Sequence, residues 1–155
     1  MLSEVCGRRA PCSIFKSECN YHFMDLDFDL DIQGRVERMI ETLGLNHVDK
    51  FRVICMRSHG STANAYARIW SLPRIWQKAL NVHAYYIIEV ISEHFDALST
   101  EEQDKVLIHE LMHIPRTFSG ALLPHECFGK KINRASVERV YQIYKQKLFS
   151  ECKRF

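Results

Sequence analysis

The stretch VLIHELMHIP, Val106–Pro115, decides how this chain is read. At about 100° per residue, His109 and His113 fall about 40° apart on one face of a helix with Glu110 beside them. Leu107, Ile108, Leu111, Met112 and Ile114 cover the other side, so the segment reads as a largely buried helix with one polar stripe. Two imidazoles one helical turn apart can share one divalent ion, and neutral imidazole nitrogens suit Zn²⁺ at about 2.0–2.1 Å. The carboxylate that follows the first histidine is placed to take a proton from water on such an ion.

H-E-x-x-H is short enough to arise by chance, so the flanking residues decide its weight. Ser99 with Glu102 three positions on forms a capping box that starts a helix near Thr100, and Pro115 stops it just past His113. The histidine pair therefore sits at the end of a capped helix. A third ligand is expected after the chain turns back. His125 lies 12 residues beyond His113, and Gly120 between them is free to take positive φ. Taken singly, the helical histidines could be hydrogen-bonded residues of a half-buried helix, and His125 a surface loop residue. Together with Glu110 they favour a metal site.

A chain of 155 residues with 46% hydrophobic and 26% charged residues is the size of one soluble domain with one core. The formal net charge of +2 is too small to select nucleic acid or a membrane surface as partner. Arg8 and Arg9 are not followed by an apolar run of the signal-peptide kind, and the longest apolar run, Ala84–Ile88, is too short to span a bilayer. A cytoplasmic protein is the expectation. Six cysteines (Cys6, Cys12, Cys19, Cys55, Cys127, Cys152) are then expected as reduced thiols rather than disulfides. Cys6, Cys12, Cys19 and His22 could form a second metal site or supply a thiolate that blocks the first, but their spacing matches no standard zinc knuckle.

In chain order, residues 1–30 read as an irregular N-terminal arm and residues 31–155 as the folded domain. Asp25, Asp27, Asp29 and Asp31 alternate with apolar residues, as a strand would, or serve as an acidic lead-in to a helix. Ile32, Val36, Met39, Ile40 and Leu43 then keep helical spacing up to Gly44, which predicts a helix over 31–43. Strands are expected at Phe51–Met56 and around Ala65–Trp70, a short helix over Arg74–Leu80 opened by Pro73, and the strongest strand at Ala84–Ser92. That last strand either lies along the rim of the cleft, free to pair with an extended peptide, or is central and fully paired. A final helix spans about 133–149, with a basic face at Arg134, Arg139, Lys145 and Lys147 that is read as solvated. His59 and His83 are loop residues that could touch substrate.

Tyr85 to about Tyr144, with HELMH at His109–His113 and His125 downstream, resembles zincin-fold peptidases, most closely the small metallopeptidases of archaea and phages, and more distantly the SprT-like group. The resemblance implies an α/β (α+β) zincin-like fold, in which a small mixed sheet packs against an active-site helix and a C-terminal helix. It also implies one Zn²⁺ on His109, His113 and His125, Glu110 as general base, and a peptide or protein substrate. Arg116 and Ser119 stand where metzincins carry the next Gly and His, which excludes that subclass. Glu138 is the alternative third ligand by analogy with thermolysin-like enzymes, and Tyr141, Tyr144 and Arg139 are the candidates for oxyanion stabilisation. Two rival readings stand beside the peptidase: a metal-holding scaffold without activity, and a DNA-associated protease of the SprT-like kind.

Overall fold

The computed structural model describes residues 25–127 and 129–153; the arm before Asp25, with Cys6, Cys12, Cys19 and His22, lies outside the described residues. The chain runs β1 (Asp25–Phe28), α1 (Leu30–Leu43), a 3₁₀ turn (Lys50–Arg52), β2 (Val53–His59), β3 (Ala67–Ser71) and α2 (Arg74–Leu80). It continues through β4 (Tyr86–Ile91), α3 (Ser92–Phe95), α4 (Thr100–Met112), a small hairpin of β5 (Glu126–Cys127) and β6 (Lys130–Lys131), and α5 (Arg134–Cys152). This is the mixed α/β architecture expected, with four strands in the order β1-β2-β4-β3. β2 and β4 are parallel, and both outer strands are antiparallel to their neighbours.

Alternation along the strands decides which face is covered. Val53, Cys55, Tyr86, Ile88 and Val90, with Ala67 and Ile69 beside them, join a core whose helical side comes from α1 (Val36, Met39), α4 (Leu107, Ile108, Leu111) and α5 (Val137, Tyr141, Tyr144). Fully burying side chains of this size contributes roughly 1.5–3 kcal/mol each, so the helices are held to the sheet chiefly through this layer. On the opposite face the Trp70 indole N–H donates to Glu89 Oε2 at 2.7 Å, which ties β3 to β4 from behind. Glu89 Oε1 is buried without a partner among the described residues.

Both readings of the aspartate run hold in part. Residues 25–28 form edge strand β1, and Asp29 ends the alternation as the N-cap of α1, accepting from Ile32 N–H at 2.9 Å and pairing with Arg57 at 2.7 Å. Gly44 closes α1 in the left-handed region at φ 68°. The strong strand β4 lies between β2 and β3, paired on both sides, so it cannot be the rim of a cleft. Its apolar run reflects burial on both faces. β1 and β3 are the edge strands, and β3 is the one that packs against α4. Among the described residues, no helix is long and apolar enough to cross a membrane.

Candidate metal centre

α4 begins where the capping box places it. Glu102 N–H donates to Ser99 Oγ at 3.3 Å, and Ser99 N–H donates back to Glu102 Oε2 at 3.2 Å. Thirteen residues later the helix ends, with His113 as its C-cap. Leu107, Ile108 and Leu111 are buried in the core, which turns His109, Glu110 and His113 toward the side of β3 and the loop after Pro115. The orientation of the polar stripe is thus set by the apolar residues around it.

That loop brings the third histidine home. Leu123 and His113 are zipped together: Leu123 N–H donates to the His113 carbonyl at 2.8 Å, and His113 Nδ1–H donates to the Leu123 carbonyl at 2.5 Å. The second bond selects the tautomer, leaving the Nε2 lone pair of His113 free and aimed away from the backbone. His109 Nε2 then lies 3.2 Å from His113 Nε2 and 3.2 Å from His125 Nε2. All three ring nitrogens lie within 4.8 Å of one another, on one intermediate, one buried and one exposed residue. A single N–H on His109 would have to bifurcate to serve both neighbours, so hydrogen bonding among the rings is a poor account of the cluster, whereas a shared cation satisfies all three lone pairs.

The local electrostatics suit that role. Burial, and then the neighbouring His113 and His125, hold His109 down to about 4, so it is a neutral donor near pH 7. His113 is lowered too, mainly by burial, while its bond to Leu123 works in the opposite direction. Burial pushes the Glu110 carboxyl up to about 7, with the Ile69 backbone N–H beside it pulling the other way. Ile69 belongs to the edge strand. Because Ile91 N–H donates to the Tyr66 carbonyl and Leu72 N–H to the Tyr85 carbonyl, the alternation of an antiparallel pair turns the backbone groups of Ala67, Ile69 and Ser71 toward the open side. Glu110 thus sits between the three imidazoles and an unpaired strand edge.

Residues 28–148 match a family described as "putative phage metallopeptidase". The chain belongs to this family. No curated protein and no solved structure matches it. Family membership implies a metal cofactor, and His109, His113 and His125 are a donor set that could hold one. The matched span runs from the end of β1 to within four residues of the end of α5, so it takes in the sheet, α4 and the loop to His125.

The other residues singled out by the sequence lie elsewhere. Glu138 is engaged by Lys105 at 2.7 Å and by the Gln142 amide at 2.7 Å, and it is not in the histidine cluster. Tyr141 is buried beneath Lys105 and Lys145, against the first half of α4, and Tyr144 is buried in the same core; Arg139 is exposed. His59 stands at the far end of β2, bonded to Ser92 Oγ at 2.9 Å, and His83 is an exposed loop residue. Sequence reasoning passed over Leu123 and Ile69, because both act through backbone groups that leave no trace in residue type.

Proposed function

We propose that the protein is a zinc-dependent endopeptidase that uses His109, His113 and His125 as metal ligands and Glu110 as general base. The convergence of the three Nε2 atoms carries this reading. Two nitrogens bound to one tetrahedral zinc at about 2.0–2.1 Å lie about 3.3 Å apart, and the His109–His113 and His109–His125 separations of 3.2 Å are close to that value, with all three nitrogens within 4.8 Å of one another. Three neutral imidazoles leave a fourth position open, as catalytic rather than structural zinc sites do. When bound, the ion would acidify a water and polarise a scissile carbonyl.

The chain's own residues supply the rest. Glu110, adjacent to His109 on the same turn, takes the proton of the attacking water and returns it to the departing amine. A carboxyl near 7 in the metal-free site becomes a stronger acid beside a dication, so it is ionised when the base is needed. The free groups of Ala67 and Ser71 on β3 can pair with an extended substrate main chain, which gives binding tolerant of side-chain identity. A cytoplasmic peptide or protein substrate is the proposed partner. The nucleic-acid reading is the less favoured one; of the basic face of α5, Lys145 lies over the Tyr141 ring and 3.7 Å from Glu101.

Digestion of casein or a quenched peptide, with and without a chelator, tests this. Wild type should cleave and stop on chelation; Glu110→Gln should keep its metal and lose at least about 100-fold in kcat/KM. A metal-loaded wild type without cleavage would leave the scaffold reading, and a fully active Glu110→Gln would remove Glu110 from the chemistry. Salt-sensitive DNA binding that is lost in Arg134→Gln/Lys145→Gln would favour the DNA-associated rival.

A further inference from the structure

His125 is the weak member of the cluster. It is exposed and lies outside any helix, and its carbonyl accepts from Ile132 N–H at 2.7 Å. Its placement depends on the loop from Pro115; the Gln77 amide reaches the Ser119 carbonyl at 3.4 Å and Arg52 lies over the Phe118 ring, but the turn at Gly120–Ala121 is bonded by Tyr86. Tyr86, fully buried at the start of β4, sends its hydroxyl up into the turn. The Gly120 N–H donates to Tyr86 Oη at 2.9 Å, and the Tyr86 O–H donates to the Ala121 carbonyl at 3.0 Å. One phenol thus satisfies a donor and an acceptor on adjacent residues, with the Phe118 ring packed against its own at a tilt of 57°, centroids 4.9 Å apart.

The turn has no slack. Gly120 has φ 81°, and a Cβ there would come within 2.1 Å of the Gln77 amide nitrogen and 2.8 Å of the Leu72 carbonyl. Gln77 is fixed in turn by donating to that carbonyl at 2.7 Å. Only three residues separate Ala121 from His125, and Leu123 between them is zipped to His113. A displacement at Gly120–Ala121 is therefore passed directly to the third imidazole.

We propose that Tyr86 is a positioning residue for the metal, its hydroxyl locking the Gly120–Ala121 turn so that His125 meets His109 and His113 in binding geometry. This rests on the reading of the three histidines as metal ligands. Removing the hydroxyl leaves a buried N–H and a C=O unpaired, and the turn must move to reach water. Groups that orient a ligand from outside the coordination sphere change metal affinity by roughly 10–100-fold.

The test compares full-length wild type, Tyr86→Phe and Tyr144→Phe, the last altering a buried tyrosine of the same core away from this loop. Zinc dissociation constants come from chelator competition, and the visible spectrum of the Co²⁺-loaded protein reports ligand geometry. Tyr86→Phe should bind zinc roughly 10–100-fold more weakly and show an altered Co²⁺ spectrum, while Tyr144→Phe matches wild type in both. Wild-type affinity and spectrum in Tyr86→Phe would overturn the proposal and leave the metal site standing; a wild type that takes up no zinc would remove the metal site itself. Should Tyr86→Phe fail to fold, amide exchange in wild type decides. Coupling is reciprocal, so zinc must slow exchange of the Gly120 amide, and an unchanged rate overturns the proposal.

Discussion

Glu110 and His109 are neighbours on α4 with their ionisations pushed in opposite directions, to about 7 and about 4. Both shifts favour the neutral form, and in the metal-free protein they have opposite consequences for stability. Between pH 4.5 and 7 the folded state keeps a proton on Glu110 that the unfolded chain has released, so stability falls as pH rises. Between pH 6.5 and 4 the unfolded chain binds a proton that folded His109 refuses, so stability falls as pH drops. Glu110→Gln removes only the first effect, worth at most about 3 kcal/mol. Stripped of metal, this variant should melt several degrees above wild type at about pH 8, with the gap closing toward pH 4. A constant gap in calorimetry at the two pH values would contradict the burial assigned to Glu110.

At the scale of elements, α4 carries the site because both of its ends are specified. Ser99→Ala breaks the capping box and should cost about 1 kcal/mol in urea denaturation, a loss also expected to loosen the helix on which the histidines sit. An unchanged urea midpoint would mean that tertiary packing alone holds the start of α4. This helix was legible from residue types, since caps, proline and apolar spacing are local properties, and so were α1, α2 and α5 within about three residues. Strand neighbours were not legible. The apolar run of β4 signals burial, which a central strand and a covered edge share, so only the pairing order revealed that β4 is central and β3 an edge. The β5–β6 hairpin has two residues per strand, too few for any period, and α3 is a single turn. Of the candidate site, the clustering of His109, His113 and His125 beside Glu110 could be anticipated from type and spacing. The Tyr86 hydroxyl, the Leu123 carbonyl and the Ile69 N–H could not, because their roles arise from contacts between residues distant in sequence.

For the molecule as a whole, the metal is expected to couple the loop after Pro115 to the core. An ion that binds only the folded state stabilises it by mass action, about 4 kcal/mol at a thousand-fold excess over its dissociation constant. Chelation should therefore lower the melting temperature by on the order of 10 °C and added zinc should restore it. A melting temperature indifferent to both would mean that the histidines hold no ion. The central claim, that three imidazoles close on one zinc and leave a position open, is tested most directly by zinc-edge X-ray absorption on the loaded full-length protein. The account predicts three imidazole nitrogens at about 2.0–2.1 Å and one further light ligand. Two imidazoles or fewer, or sulfur at about 2.3 Å from a cysteine, would contradict it.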